Sequence, residues 1–195
     1  MNKYLSQIPA EVRTFLIRSV LLFIVWKALY ILVLIPNQVP DAPLVRWLGN
    51  GTAVMMNTMY ATDSFSAVHT ERPKVYGKDT VLATYTMVKK GNRNILGIYQ
   101  ACNGLELMIL YAGFIICFSG GWWRKTLYIL SGVVALYLAN VLRCGALGWI
   151  GIEYPMHFDF AHKYFFNLVI YSIAFLFWVF YVKGLKTKDV KAAAS

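Results

Sequence analysis

Charge is scarce in this chain, and acidic charge scarcer still. Only 14% of its 195 residues are charged, against a soluble average of roughly 25%. The 9 Asp and Glu face 19 Lys and Arg. Cysteine is limited to three widely spaced residues, an odd number, which excludes a disulfide framework. There is no CxxC pair and no His-x-x-x-His spacing, so nothing points to a structural or catalytic metal. No internal repeat and no low-complexity tract appears beyond a short Ala-rich tail. Apolar residues, by contrast, make up 58% of the chain and aromatics 16%. A soluble globule of this size has too little interior to hide so much apolar surface, and disorder requires low hydrophobicity. The net charge of +10 is not a nucleic-acid signal either. Lys183, Lys186, Lys188 and Lys191 crowd one end, and Arg124 and Lys125 separate two apolar runs, as topology markers do in membrane proteins. The composition specifies an integral membrane protein.

A helix needs about 20 mostly apolar residues to cross a bilayer. Four segments qualify: Phe15 to Ile35, closed by Pro36; about Cys102 to Phe118, ended by Ser119-Gly120-Gly121; about Thr126 to Leu147; and about Tyr164 to Val182. The first is too long, too basic (Arg13, Arg18) and too poor in a small-residue cleavage site for a removed signal peptide. Leu44 to Tyr60 is apolar but interrupted by Arg46, Gly49, Asn50 and Gly51, which fits an interfacial or re-entrant segment. Residues 62–100 are more polar. There Val81 to Val88 and Ile95 to Tyr99 flank the turn-forming Lys89-Lys90-Gly91-Asn92-Arg93-Asn94, which predicts a β-hairpin outside the bilayer. The expected fold is therefore an all-α multi-pass membrane domain over 1–195, with four spans, one interfacial segment and a small hairpin insertion at 62–100.

The positive-inside rule puts Arg124-Lys125, the Lys-rich tail and the N-terminal segment with Lys3, Arg13 and Arg18 in the cytoplasm. Residues 36–100 then lie outside. They carry seven Lys and Arg against four Asp and Glu, but the rule weakens for loops of roughly 60 residues or more. This topology gathers three distant residues at one outer face. Cys102 starts an inward span, Arg143 lies in the last turns of the returning helix, and His162 precedes the final inward span. Thiol acyl transfer needs those side chains: a thiolate to attack, a guanidinium to hold the oxyanion, an imidazole to move protons. The helix N-terminus expected at Cys102 favours the thiolate, and Asn140, one turn before Arg143, is placed to orient it. Each residue also has an ordinary explanation. Cys102 suits a buried core position, Arg143 an ion pair with Glu106 or a snorkelling role, and His162 an interfacial position no different from His157.

Ala101-Cys102-Asn103-Gly104-Leu105, then Asn140-x-x-Arg143, then His162 resemble the three motifs of the exosortase/archaeosortase family. The segment Thr84 to Gln100 is also similar to that family's pre-cysteine segment, so the resemblance covers about residues 80–182. Asn103 replaces the more frequent Ser, Lys163 the usual Asp and Phe166 a Gly, and the chain looks like a short, Bacteroidetes-type form. The resemblance implies a membrane-embedded thiol protease or transpeptidase of the inner membrane. Cys102, Arg143 and His162 would be its catalytic residues, with Asn140, Glu106 and His157 in support or reserve. Its substrates would be proteins with a C-terminal signal of motif, transmembrane helix and basic cluster. Water or an amine, including a lipid headgroup, would resolve the thioester. It implies no cofactor and no nucleic acid. The competing expectation is a non-enzymatic assembly factor or transporter subunit with an intramembrane network of Glu106, Arg143 and Lys27; the lack of inverted repeats weakens the transporter form.

Overall fold

The computed structural model describes residues 10–34, 37, 39–76, 79–118 and 121–193. Lys3, Ile35, Pro36, Lys78, Ser119 and Gly120 lie outside them, as do the side chains of Lys186, Lys188 and Lys191. Helix α1, Ala10–Leu29, runs on into a π-helical turn at Tyr30–Leu34. Helix α2 spans Asp41–Tyr60. Strands β1, Phe65–Tyr76, β2, Asp79–Lys90, and β3, Arg93–Ile98, follow. A 3-10 turn at Gln100–Cys102 then leads into α3, Leu105–Cys117, and α4, Trp122–Glu153. After short helical turns from Pro155 to Phe165, α5 closes the chain at Phe166–Ala193.

Among the described residues three helical segments are long and apolar enough to cross a membrane: Leu16–Leu34, Trp122–Glu153 and Pro155–Gly184. The fourth span expected from the sequence is shorter than it reads. Helix α3 has 13 residues, about 20 Å of helix against a hydrocarbon core of about 30 Å. Both its ends are cut by local chemistry. Gly104 takes a left-handed φ of 75°, which a side chain resists, and the Asn103 side chain accepts a hydrogen bond from the Leu105 amide (2.9 Å). At the other end Phe118 turns extended. Helix α3 lies antiparallel to α4: Asn140 Nδ2 donates to the Cys102 carbonyl at one end, and Lys125 Nζ to the Ile116 carbonyl at the other. Gly132 of α4 lies flat against the Tyr111 ring of α3, where a Cβ would collide with it.

The helix α4 is longer than expected from its apolar run. Its 32 residues make about 48 Å of helix, so some 18 Å projects beyond one hydrocarbon thickness. That projecting end carries a second packed region. Leu147 and Cys144 meet Val45, Leu48 and Met56 of α2, with Phe65, Val88, Leu96 and Ile98 from the strands, in one buried cluster. The segment 44–60, expected to lie in the interface or re-enter, is thus a helix with one face in this cap. The bundle has its own cluster around Tyr111, Ile115, Leu136, Ile170 and Tyr181.

The expected hairpin forms two strands of a three-stranded sheet. Strands β2 and β3 pair antiparallel around Gly91 (φ 57°), with a bulge between Val88 and Lys89. Strand β1 adds a third antiparallel strand, in register from Phe65↔Lys90 to Tyr76↔Asp79. Its charged stretch, Glu71-Arg72-Pro73-Lys74, reads as loop because charge and proline are poor strand formers. At a sheet edge both are tolerated, and they blunt pairing with other chains.

Candidate active site

The turn that carries Cys102 is held from two sides. On one, Asn140, 1% exposed in the middle of α4, donates Nδ2 to the Cys102 carbonyl oxygen (2.8 Å). On the other, Asp41 at the start of α2 is buried and accepts from Asn103 Nδ2 (2.6 Å) and from the Tyr30 hydroxyl (2.9 Å). Asn103 therefore ties α2 to the amide of Leu105 while flanking Cys102. Sequence periodicity gives no sign of Asp41. It stands in Pro-Asp-Ala-Pro, and the carboxylate acquires its role only when α2 folds back onto the bundle.

Cys102, Arg143 and His162 all line one cavity of about 480 Å³ with a mixed polar and apolar wall, together with Asn140, Glu106 and Asp41. Cys102 is partly accessible and free. Arg143 acts electrostatically on the His162 ring and on the neighbouring Cys144 thiol, as does Cys102 on Cys144. Among the described residues the Nε of Arg143 is buried without a hydrogen-bond partner, and no carboxylate lies within ion-pair distance of it. His162 sits in the π-helical turn Ala161–Phe165, and its ring stacks on Phe158 at 5.9 Å and 8°. Such π-turns widen a helix locally and recur at functional sites.

Several placements differ from expectation. Cys102 is not the first residue of a span: α3 starts at Leu105, and Cys102 ends the preceding 3-10 turn. Arg143 is not in the last turns of α4, because the helix runs on to Glu153. It lies about 32 Å from Trp122 along the axis, close to one hydrocarbon thickness from the basic turn. Asn140 bonds to the cysteine turn rather than to Arg143. Glu106 pairs with Lys27 (2.8 Å), so the Glu106–Arg143 ion pair is not formed. His157 is exposed, packs edge-on to Tyr154 and does not line the cavity. All three cysteines are free. Cys144 points into the cap core beside Thr52, and Cys117 is buried near the far end of α3. No cluster of His, Cys, Asp or Glu suited to a metal occurs among the described residues.

A family model described as transmembrane exosortase matches residues 11–180. The chain belongs to this family. The match takes in the whole cavity, the first two long apolar helices and all but the last residues of the third, so exosortase membership and membrane insertion rest largely on the same residues. Neither a curated protein nor a solved structure matches the chain.

Proposed function

We propose that this exosortase-family protein is a cysteine transpeptidase or peptidase that cleaves a C-terminal sorting signal at the outer face of the inner membrane. The observation that carries the reading is the cavity shared by Cys102, Arg143 and His162, drawn from three separate elements of the chain, with a guanidinium that has no carboxylate partner among the described residues. A structural arginine with a buried guanidinium nitrogen is normally paired, because an unpaired buried charge is costly. An arginine left open is ready for an anion that appears during reaction.

In this reading His162 takes the proton of the Cys102 thiol, and the thiolate attacks the scissile carbonyl. Arg143 holds the oxyanion of the tetrahedral intermediate. The C–N bond breaks, His162 returns the proton to the leaving amine, and a thioester remains on Cys102. Water or an amine then attacks the thioester and regenerates the thiol. Asn140 and the Asp41–Asn103 pair fix the backbone from which Cys102 reaches into the cavity. The long basic stretch 36–100 and the sheet stand outside in this topology, with both ends of the chain in the cytoplasm. The substrate would be a protein whose signal combines a short motif, a membrane helix and a basic cluster.

The test is processing of a co-expressed protein bearing such a signal, read by size and by membrane release. Cys102→Ala and Cys102→Ser should abolish processing with the variant still in the membrane. Arg143→Lys should fall nearly as far as Arg143→Ala, since an ammonium does not reproduce the planar fork. Cys117→Ala and Cys144→Ala should keep most activity. Full processing by Cys102→Ala ends the thioester mechanism. The charge-network reading has weaker support, since Lys27 and Glu106 pair with each other while Arg143 stands apart.

A further inference from the structure

Helix α4 ties the Cys102 site to the basic turn at a fixed distance. At one end Arg124 donates to the carbonyls of Tyr181 (2.9 Å) and Gly184 (2.9 Å) on α5, and Lys125 to that of Ile116 on α3 (3.1 Å). At the other end Asn140 donates to the Cys102 carbonyl (2.8 Å), and Arg143 lines the Cys102 cavity. The helix is continuous from Trp122 to Glu153. Asn140 and Arg143 stand 16 and 19 positions after Arg124, or about 24 and 28 Å along the axis. The last helical segment repeats the spacing: His162 and Tyr181, whose carbonyl Arg124 meets, are also 19 positions apart. Helix α3 fills the interval and is tied to α4 at both its ends.

The bilayer gives that interval a meaning. Basic residues flanking a span stay in the cytoplasmic headgroup layer, and the hydrocarbon core is about 30 Å thick. With Arg124 and Lys125 in that layer, the Cys102 turn stands at the outer edge of the hydrocarbon, reached from the water through its cavity. A substrate helix that ends in its own basic cluster is held in the same cytoplasmic layer by the same electrostatics. Its residues then rise beside the enzyme by about 1.5 Å each. The peptide bond that arrives at Cys102 is therefore set by the number of helical residues between it and the basic cluster.

We propose that the enzyme selects substrates by the length of their membrane helix, with about 16 to 19 helical residues between the scissile bond and the basic cluster. This rests on the proposed cysteine peptidase reading and adds to it a specificity set by membrane depth. One helical turn of mismatch moves the bond by about 5.4 Å. A nucleophile must come within about 3–3.5 Å of its carbonyl, and a frame tied at both ends of α3 and α4 does not stretch to follow.

The test uses the full-length wild type and a co-expressed, tagged protein whose C-terminal signal it cuts. Leucines are added to or removed from the substrate helix between the scissile bond and the basic cluster, and the products are mapped by mass spectrometry. Cleavage at the original bond should fall at least ten-fold when the helix is one turn longer or one turn shorter. A turn's worth of residues added on the outer side of that bond should change it by less than about two-fold. Equal cleavage of the original bond at all lengths, with Cys102→Ala inactive, overturns the length rule and leaves the peptidase reading standing. Cleavage by Cys102→Ala overturns the peptidase reading itself. Depth is also read without any substrate, from a fluorophore on Cys102 of the Cys117→Ala/Cys144→Ala chain in vesicles of brominated phospholipids. Bromines on the upper acyl carbons should quench it most. Strongest quenching by bromines near the chain ends, or none from any position, overturns the proposal.

Discussion

In the cap Leu48, Met56 and Val88 are wholly buried, whereas α4 leaves Leu130, Leu138 and Leu142 more than half exposed. Both regions are rich in the same residue types, so the difference lies in the solvent each expects. In water an apolar side chain gains by leaving the surface, and the cap, built from α2, the sheet and the projecting end of α4, folds as a soluble module does. In lipid there is no such gain, and helices associate by close packing and polar contacts. The bundle shows both, in Gly132 against Tyr111 and in the hydrogen bond from the Tyr111 hydroxyl to the Tyr128 carbonyl (2.7 Å). Arg124 adds a third tie, donating to the carbonyls of Tyr181 and Gly184 on α5. The candidate site lies where the two regions meet: Cys102 between sheet and α3, Arg143 where α4 passes from bundle to cap, His162 where the chain returns.

The largest expected effect separates the regions by burial. Leu48, with 0% exposure in the cap, should cost about 2–5 kcal/mol as Leu48→Ala. Leu138 of the bundle, 54% exposed, should change stability by less than about 1 kcal/mol as Leu138→Ala. Denaturant unfolding in mild detergent measures both, and equal costs would break the distinction.

The junction comes next. Asp41→Ala leaves the Asn103 amide and the Tyr30 hydroxyl without their acceptor, at about 1–3 kcal/mol. Because Asn103 adjoins Cys102, processing should fall at least ten-fold. Asp41→Asn, which keeps one acceptor, should fall less. Unchanged processing in a folded Asp41→Ala would detach α2 from the site.

The smallest effect concerns the sheet. His69 shares a hydrogen bond with Thr86 (2.9 Å). Partial burial, and secondarily the positive charge of Arg46, hold its pKa below the ordinary 6.5. The folded state thus resists protonation more than the unfolded one. Its contribution is complete above about pH 6.5 and declines as the pH falls through the lowered folded value. His69→Gln should flatten a small loss of cap stability between neutral and mildly acidic pH, followed by fluorescence of the cap; a slope unchanged in the variant would assign it to another group.

These contrasts also explain what the sequence made legible. Long apolar runs with basic flanks are a strong signal, and the bundle follows them. The order Cys102, Arg143, His162 was legible because membrane crossings restrict where distant residues meet. Three features were not. Helix α3 is short because of a left-handed glycine and an asparagine side chain, features hydropathy does not weigh. Strand β1 hides behind its edge-strand charges. Asp41 meets the cysteine turn only through a contact with Asn103, 62 residues away. The tertiary polar contacts, those of Asn140 and Glu106 included, were the least legible part of the site.

The central claim is that a reactive thiol stands at the outer junction of cap and bundle, and its most direct test is site-specific alkylation. In intact cells, single-cysteine variants retaining Cys102, Cys117 or Cys144 are exposed to a charged, membrane-impermeant maleimide. Cys102 should label from outside, and an arginine-to-alanine change at Arg143 should alter its rate. Cys117 and Cys144, both buried, should stay unlabelled until the protein is unfolded. Labelling of Cys144 ahead of Cys102, or of Cys102 only after the cytoplasmic side is opened, would contradict the account.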